Sequence, residues 1–162
     1  MDIGFKRLTQ VSKSSIIELM NNPLVRRQMP LLIGDFNEND YNSFIAAKEK
    51  LWNKYGYGPW AFIVNGHFAG WGGLQKENGE ADLAIVLHPN YWGIGKIIYD
   101  KIMKMAFNDM KLKSVTVLFP PTRTRIKGLI RLGFKEAGEL MVGNNRFIRY
   151  RILNTAGSMI NS

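Results

Sequence analysis

The feature that most constrains this fold is a junction at residues 83–96, where an apolar strand runs into an amphipathic helix. Residues 81–87 form a nearly continuous apolar run, which predicts a buried central strand. Gly93 and Gly95 fall where the helix begins, and glycine lets a backbone approach a ligand closely. The first N–H groups of a helix have no partner within it, and the helix dipole adds partial positive charge there. The junction therefore predicts a phosphate site, with an ordinary strand-to-helix turn as the alternative.

Two common nucleotide-binding motifs do not match this junction. The dinucleotide fingerprint requires a third glycine, where this chain has Ile98, and an acidic residue after the next strand, where residues 119–121 supply none. The P-loop requires four residues between its glycines and a Ser or Thr after its lysine. Here one residue separates the glycines, and Ile97 follows Lys96.

The whole chain predicts a single mixed α+β domain over residues 1–153, followed by a disordered tail at 154–162. Asn-Gly pairs at 65–66 and 78–79 predict tight turns that join three strands into an antiparallel meander. Glycines at 70, 72 and 73 predict a bulge or a close backbone approach. The predicted strands are residues 4–9, 60–64, 67–75, 81–87, 114–119, 134–141 and 146–152. The predicted helices are residues 12–21, a helix that Asn37 caps with Asp40, residues 93–107 and residues 124–132, whereas residues 22–36 are predicted to be irregular.

Composition excludes several kinds of site. The 162 residues include no cysteine, which rules out disulfides, iron–sulfur clusters, cysteine zinc sites and thiol nucleophiles. The two histidines, His67 and His88, argue against a multi-histidine metal site, so we expect no metal. No apolar run reaches the roughly 18 residues of a membrane span, and the N-terminus lacks the pattern of a signal peptide. We therefore expect a cytoplasmic protein that does not bind membranes.

The charge balance is strongly basic, with 22 Lys and Arg against 13 Asp and Glu and a formal net charge of +9. This excess fits a nucleic-acid binder or a protein that holds a polyanionic small molecule. It also fits a solvated basic surface, so charge alone leaves all three interpretations open.

The junction resembles the acetyl-CoA-binding segment of the GNAT superfamily of N-acetyltransferases. The family pattern is Gln/Arg-x-x-Gly-x-Gly/Ala, and residues 90–95 read NYWGIG, with Asn in place of the first Gln or Arg. Residues 88–93, HPNYWG, look like the branch that includes ribosomal-protein N-terminal acetyltransferases. The segments WGGL at 71–74 and LIRLGF at 129–134 also fit the family's order.

The resemblance implies a fold, a co-substrate and a reaction. The implied fold is a central, mostly antiparallel sheet of about seven strands, flanked by about four helices and splayed between strands 4 and 5. Acetyl-CoA is the implied co-substrate, with its pyrophosphate on the N–H groups of residues 92–96 and its pantetheine arm along residues 85–87. An amine attacks the thioester directly, so the absence of cysteine is no obstacle. The implied cofactor-binding residues are Ile85, Val86, Leu87, Trp92, Gly93, Ile94, Gly95, Lys96, Thr122 and Arg125.

The resemblance also implies catalytic roles. A backbone N–H at Leu87 is the implied donor to the developing oxyanion. Asp82 stands where some relatives place a general base, although a charged residue just after a turn is often only solvated. Leu129 occupies the position of a Tyr that often serves as general acid. In the preceding loop, Thr122 is expected to hydrogen-bond the cofactor, and Arg125 to pair with a phosphate or remain a solvated charge.

These observations support an acetyl-CoA-dependent N-acetyltransferase that acts on a primary amine, either a small molecule or a protein N-terminus. A non-catalytic acyl-CoA-binding module of the same fold is the alternative, since Leu129 and Arg125 depart from the family pattern. A basic nucleic-acid-binding protein ranks last. Residues 22–36 and the final hairpin are expected to select the acceptor, while the sequence leaves the acceptor and the oligomeric state undefined. The residues that fit either an acceptor cleft or core packing are Phe36, Tyr41, Trp60 and Trp71.

Overall fold

A computed structural model of the chain describes residues 1–29 and 31–155. The strands are β1 (Ile3–Lys6), β2 (Pro59–Val64), β3 (His67–Glu77), β4 (Glu80–Leu87), β5 (Ser114–Phe119), β6 (Lys135–Val142) and β7 (Asn145–Leu153). The α-helices are α1 (Lys13–Asn21), α2 (Pro23–Arg26), α3 (Glu38–Tyr55), α4 (Gly95–Lys104) and α5 (Lys127–Arg131).

The strands form one seven-stranded sheet in the order β1-β2-β3-β4-β5-β7-β6. The β1–β2, β2–β3, β5–β7 and β6–β7 pairs are antiparallel, whereas β4 and β5 are parallel and pair at Asp82 opposite Thr116. The predicted α+β fold with a mostly antiparallel sheet is confirmed. The described residues contain five α-helices rather than about four, because α2 forms within a segment that we predicted to be irregular.

Proline explains two differences from the predicted helices. Pro23 begins α2, and the Asn22 side chain accepts from the backbone N–H of Leu24 at 3.0 Å. Proline suits a first helical position, where its missing N–H costs nothing. Pro89 likewise begins a 3₁₀ helix over Pro89–Ile94, so the predicted helix at 93–107 was wrong at both ends. Its α-helical part is α4, followed by a π-helical turn at Met105–Asp109.

Two further boundaries differ from prediction. The first strand, expected at residues 4–9, ends at Lys6, because Leu8–Gln10 forms a 3₁₀ turn that buries Leu8. The Gln10 side chain accepts from the Arg7 N–H at 2.9 Å and holds that turn. The last helix, expected at residues 124–132, covers only Lys127–Arg131.

The two predicted Asn-Gly turns and the predicted helix cap, which depend only on neighbouring residues, are confirmed. Asn65 and Gly66 have φ of 50° and 83°, and Asn78 and Gly79 repeat this positive-φ pair with 50° and 76°. Such conformations match the twist of paired strands, so both turns close hairpins. Asn37 caps α3 in a reciprocal pair of hydrogen bonds with Asp40, at 3.0 and 2.8 Å.

The described chain divides into two compact units, which we describe separately. The first unit comprises Met1–Gln75 and Ala84–Asp100. Its core lies where α1 packs on the sheet, and the Trp71 indole N–H contacts the Met20 sulfur at 3.4 Å. The buried members of this core are Leu8, Ile16, Leu19, Met20, Val25, Phe36, Ala61 and Trp71.

The second unit comprises Lys76–Leu83 and the chain after Asp100. Val115 and Phe134 are fully buried in it, and the Phe134 N–H donates to the Leu129 carbonyl at 3.2 Å where α5 ends. Asn154 donates its backbone N–H to the Lys113 carbonyl at 2.8 Å. The predicted disordered tail otherwise falls on residues 156–162, which lie outside the described residues. No helix in the described part of the chain is both long and apolar enough to span a bilayer.

Candidate functional site

Glycines in β3 bring its backbone close to β4. A Cβ at Gly70 would lie 2.1 Å from the Val86 carbonyl oxygen, and one at Gly72 would lie 2.2 Å from the Ala84 oxygen. No side chain fits at such distances, so only glycine allows the two strands to pack this closely. The predicted close backbone approach is confirmed at these two positions.

The end of β4 directs one backbone edge away from β3. The His88 N–H donates to the Ala69 carbonyl of β3 at 2.9 Å. Because successive N–H groups of a strand point to opposite edges, the Leu87 N–H points away from β3. The Leu87 carbonyl accepts a hydrogen bond from the Trp92 indole N–H at 2.9 Å. At Leu87, the backbone N–H and the carbonyl of β4 therefore both point to the edge that faces away from β3.

The junction between β4 and α4 is open at its glycines. A Cβ at Gly93 would meet nothing within 4 Å, and one at Gly95 would meet only the Leu87 Cδ1 at 3.8 Å. Neither residue has a positive φ, so the fold itself does not require glycine at either position. The backbone there is accessible to a ligand that a side chain would obstruct.

Fewer backbone N–H groups are available to a ligand at this junction than we predicted for residues 92–96. The Gly95 N–H donates to the Trp92 carbonyl, because the chain enters α4 through a 3₁₀ turn. The His88 Nδ1 accepts from the Asn90 N–H at 3.1 Å and caps that turn. The Lys96 ammonium pairs with Asp100 at 2.6 Å one helical turn later.

Asp82 is buried in the second unit, with 8% of its surface exposed. The Thr116 hydroxyl donates to Asp82 Oδ1 at 3.2 Å across the β4–β5 pair. The pKa of Asp82 is raised to about 7, chiefly by burial and then by the charges of Glu77 and Glu80, while the Thr116 hydrogen bond acts in the opposite direction and lowers it. The alternative that Asp82 is only a solvated surface charge is therefore wrong.

A small cavity of about 10 Å³ adjoins this carboxylate. That volume is about the smallest that holds one water molecule. Glu80, at its wall, pairs with Arg151, whereas Glu77 has no ion pair within the described residues. The cavity is lined by Glu77, Asn78, Glu80, Asp82, Thr116, Leu118, Leu140 and Arg149.

The loop between β5 and α5 leaves Thr122 and Arg125 exposed. Arg125 makes no hydrogen bond or ion pair with any residue that the structure describes. The neighbouring Arg123 behaves differently, because its guanidinium lies 4.0 Å from the centre of the Phe119 ring. Burial lowers the pKa of Arg123. Of the residues predicted to meet the cofactor here, Arg125 is thus the cation that no described protein group holds in place.

The predicted site residues fall into two groups. Residues 85–87 and 92–96 lie together in the first unit, and Asp82, Thr122 and Arg125 lie in the second. Phe36 and Trp71 are core residues, as one of our two interpretations held, while Tyr41 and Trp60 are half-buried.

Two side-chain contacts at this site were not predicted from the sequence. The Trp92 indole bond to Leu87 carried no sequence signal, because it depends on the turn between them. Thr116, the partner of Asp82, did carry one, since it is a polar residue between the buried Val115 and Val117.

The chain matches the model of one protein family over most of its length. A family model described as the acetyltransferase (GNAT) domain matches residues 4–135, which is most of the sequence. The chain therefore belongs to the GNAT acetyltransferase family, a family whose enzymes use acetyl-CoA. Among curated proteins, no sequence match is found. The likeness to the ribosomal-protein branch stays a prediction.

Solved structures share the fold at low sequence identity. A GNAT-family acetyltransferase from Bacillus anthracis is 18% identical over 96% of both chains, with a TM-score of 0.71. An acetyltransferase from Agrobacterium tumefaciens str. C58 is 15% identical over 92% of this chain and 89% of that one, with a TM-score of 0.72. A chimera of the Vibrio cholerae spermidine N-acetyltransferase SpeG with hSSAT is 14% identical over 100% of both, with a TM-score of 0.70. These likenesses concern the fold alone. Within the described residues, no cluster of three or more His, Asp or Glu is arranged to hold a metal ion.

Proposed function

We propose that this protein transfers the acetyl group of acetyl-CoA to the nitrogen of a primary amine. The observation that carries the proposal is the open backbone at Gly93, where β4 runs into α4. Since the fold does not need glycine there, the residue suits the close approach of a phosphate group to the helix start. Acetyl-CoA supplies both that phosphate and an activated acetyl thioester.

In this proposal the junction between β4 and α4 holds the cofactor. Residues 92–96 bind the pyrophosphate through the N–H groups that the 3₁₀ turn leaves available and through the positive end of α4. Residues 85–87 bind the pantetheine arm along the edge of β4 that faces away from β3. Thr122 is the proposed donor of a hydrogen bond to the cofactor, and Arg125 the proposed partner of a phosphate. The orientation of the Leu87 N–H supports its role as the donor to the developing oxyanion.

Asp82 is the proposed general base. An acceptor amine must lose a proton to react, and a carboxylate with a pKa of about 7 accepts one near neutral pH. The adjoining cavity of about 10 Å³ suits transfer through one water. A carboxylate of ordinary pKa would be a much weaker base, so the burial of Asp82 supports this role.

A second candidate function is favoured by Leu129. This residue has no proton to donate where many relatives have a Tyr, so the sulfur that leaves must take its proton from water or from a weak acid. A non-catalytic acyl-CoA-binding protein accounts for the same departure. Release of free coenzyme A in the presence of amines distinguishes transfer from binding alone.

The cofactor assignment is tested with Gly93→Asp. The variant should fold, because a side chain at Gly93 meets open space, but its bulk and negative charge should repel the phosphate. We expect acetyl-CoA to raise the melting temperature of the wild type and not that of the variant. Gly4→Asp is the matched control, since Gly4 also has nothing within 4 Å and lies on β1. Unchanged acetyl-CoA affinity in folded Gly93→Asp would contradict the assignment.

The acceptor is tested with a panel of amines. Small metabolites, aminoglycosides and peptide N-termini are the classes that the proposal covers. Polyamines, which the sequence also leaves open as acceptors, complete the panel, and a spermidine N-acetyltransferase chimera shares the fold. Acetylated product from any of these classes supports transfer, and acetyl-CoA binding without product from all of them supports the non-catalytic candidate.

A further inference from the structure

Charged residues on one face of the sheet surround Asp82 in the second unit. Asp82 of β4 pairs in register with Thr116 of β5, and Thr116 pairs with Arg151 of β7. Side chains in register on neighbouring strands share a face, and so do those two residues apart along one strand. Glu80 and Arg151 therefore lie on the same face of the sheet as Asp82.

An ion pair between Glu80 and Arg151 crosses this face. Arg151 Nη2 donates to Glu80 Oε1, although β5 lies between the strands of the two residues. The exposed fraction is 20% for the Glu80 side chain and 31% for the Arg151 side chain. Water and salt screen a half-buried pair less than an exposed one, so each charge acts more strongly on the groups beside it.

Glu80 acts on Asp82 across a shared cavity. Both carboxylates line the cavity of about 10 Å³. A negative charge beside Asp82 disfavours its ionised form, and the Glu80 charge contributes to the raised pKa of Asp82. The positive charge of Arg151 opposes this effect, because it lies against the Glu80 carboxylate. Removal of Arg151 would leave Glu80 to act on Asp82 without a counter-charge.

The other charged groups that face Asp82 come from β3 and β7. Glu77 lines the same cavity and raises the pKa of Asp82 more strongly than Glu80 does. Arg149 also lines it, and its Nε donates to a backbone carbonyl of β6 at 3.0 Å. The lining residues from β5 and β6 carry no charge and are Thr116, Leu118 and Leu140. Among the residues that the structure describes, Arg151 is therefore the cation that pairs with an acid of this cavity.

We infer that Arg151 is a positioning residue for acetyl transfer, which neutralises Glu80 and thereby keeps Asp82 ionised near neutral pH. The inference rests on the proposed function, in which Asp82 takes the proton of the acceptor. As the amine nitrogen bonds to the acetyl carbon, the carbon–sulfur bond breaks and the nitrogen passes its proton to Asp82 through water. The sulfur takes a proton from water or from a weak acid. Arg151 exchanges no proton in this step and acts through Glu80.

Carbon-13 NMR of the Asp82 carboxyl carbon, assigned with Asp82→Asn, tests the inference in the protein without substrates. Arg151→Met removes the charge and keeps a long side chain, so the Asp82 titration should move up by about half to one pH unit. Glu80→Gln removes the opposing charge and should move the titration down by a similar amount. The double variant should return it toward the wild-type midpoint, because both charges are then absent. Arg151→Lys keeps the positive charge and should stay close to the wild type.

The same variants should move the acidic limb of kcat/KM by the same amounts and preserve turnover above it. The assay uses acetyl-CoA and the amine of the panel that gives the most product. One amine contributes equally in every variant, so a difference between the limbs belongs to the protein. Arg146→Met is the matched control, because Arg146 also lies on β7 and pairs with Glu139 at 3.6 Å, but both side chains are at least half exposed. It should move neither the titration nor the limb.

The outcomes separate this inference from the proposed function. A loss of turnover at every pH with an unmoved Asp82 titration in Arg151→Met would show that the ion pair only joins the strands, which overturns the inference. An equal shift in Arg146→Met overturns it too, since the effect would then be one of net charge. Circular dichroism and melting temperature establish folding, and if Arg151→Met does not fold, an unmoved titration in Glu80→Gln overturns the inference. Shifted titrations without acetyl transfer to any amine support the coupling of Arg151 to Asp82 and contradict the proposed function.

Discussion

In the proposed mechanism, the pKa of Asp82 sets the pH range in which acetyl transfer runs. Below its pKa of about 7 the carboxyl is protonated and cannot accept the proton of an amine. We expect kcat/KM to fall as the pH drops through about 7 and to level off above it. Asp82→Asn should lower turnover by roughly 10²-fold or more, remove this acidic limb and leave acetyl-CoA affinity unchanged. Wild-type turnover in Asp82→Asn on a good amine would contradict the role.

Thr116→Val is the matched control for that prediction. The Thr116 hydrogen bond lowers the pKa of Asp82, so its removal should shift the acidic limb to higher pH and preserve turnover above it.

The pH dependence of unfolding stability provides a second check on the raised pKa of Asp82. The raised pKa means that the native state keeps a proton that the unfolded chain releases, so this stabilisation is present below about pH 4 and is lost as the pH rises through 7. Asp82→Asn should gain up to roughly 4 kcal/mol on wild type over that range, measured by urea unfolding.

Arg125 carries a positive charge that pairs with no residue that the structure describes. We expect Arg125→Ala to weaken acetyl-CoA binding by ~1–2 kcal/mol, on the scale of a charge-assisted hydrogen bond, with the rate at saturating cofactor nearly unchanged. The loss should shrink as salt rises, because exposed charges are screened. Calorimetric titration at two salt concentrations measures both effects, and Arg131→Ala on α5 is the control. Normal affinity with a collapsed rate would instead assign Arg125 to the acceptor or the transition state.

At the scale of elements, one side-chain cluster ties α3 to the chain that follows β1. Arg7 donates to Glu49 at 2.7 Å, its guanidinium lies 4.1 Å from the Trp52 ring, and the Trp52 indole N–H donates to the Pro59 carbonyl at 2.9 Å. Glu49→Ala leaves a half-buried guanidinium without its acceptor, which should cost about 1–2 kcal/mol of unfolding free energy. Urea unfolding measures the loss.

Glu38→Ala provides the comparison for that prediction. Its partner Lys13 and the carboxylate are both exposed, so breaking this ion pair should barely change the melting temperature. Equal losses in the two variants would show that the Arg7 cluster does not stabilise the attachment of α3.

The same scale shows which elements a sequence can predict. The Asn-Gly turns, the Asn37 cap and β5 are specified by neighbouring residues, and β5 has the predicted bounds of 114–119 because Pro120 ends it. Pro23 and Pro89 each begin a helical turn that we did not predict, because proline ends a preceding element as readily as it begins a helix. The burial of Asp82 was not predictable from its neighbours. Its carboxylate accepts a hydrogen bond from Thr116, a residue 34 positions away that only the sheet brings alongside.

For the whole molecule, positive charge is concentrated late in the chain. Residues 1–100 contain ten Lys and Arg and ten Asp and Glu, whereas residues 101–162 contain twelve and three. An uneven field of this kind attracts a polyanion before any contact forms. We expect the association rate of acetyl-CoA to fall steeply with ionic strength while its dissociation rate changes little, as measured by stopped flow.

Acetyl-pantetheine, which lacks the nucleotide phosphates, is the control for that prediction. It should associate at a rate that ionic strength hardly changes. A flat salt response for acetyl-CoA would show that the basic excess is a solvated surface without a role in cofactor capture.

The glycines of this chain also bear on how it tolerates inherited variation. Any missense change at Gly70 or Gly72 adds a Cβ that collides with the β4 backbone, so such alleles should be poorly represented among folded protein. Changes at Gly93 meet open space and should leave protein abundance intact. A library scored once for abundance and once for acetyl-CoA capture would therefore separate these positions into two classes. Changes at Gly70 and Gly72 would lower protein abundance, whereas changes at Gly93 would lower only the capture of acetyl-CoA.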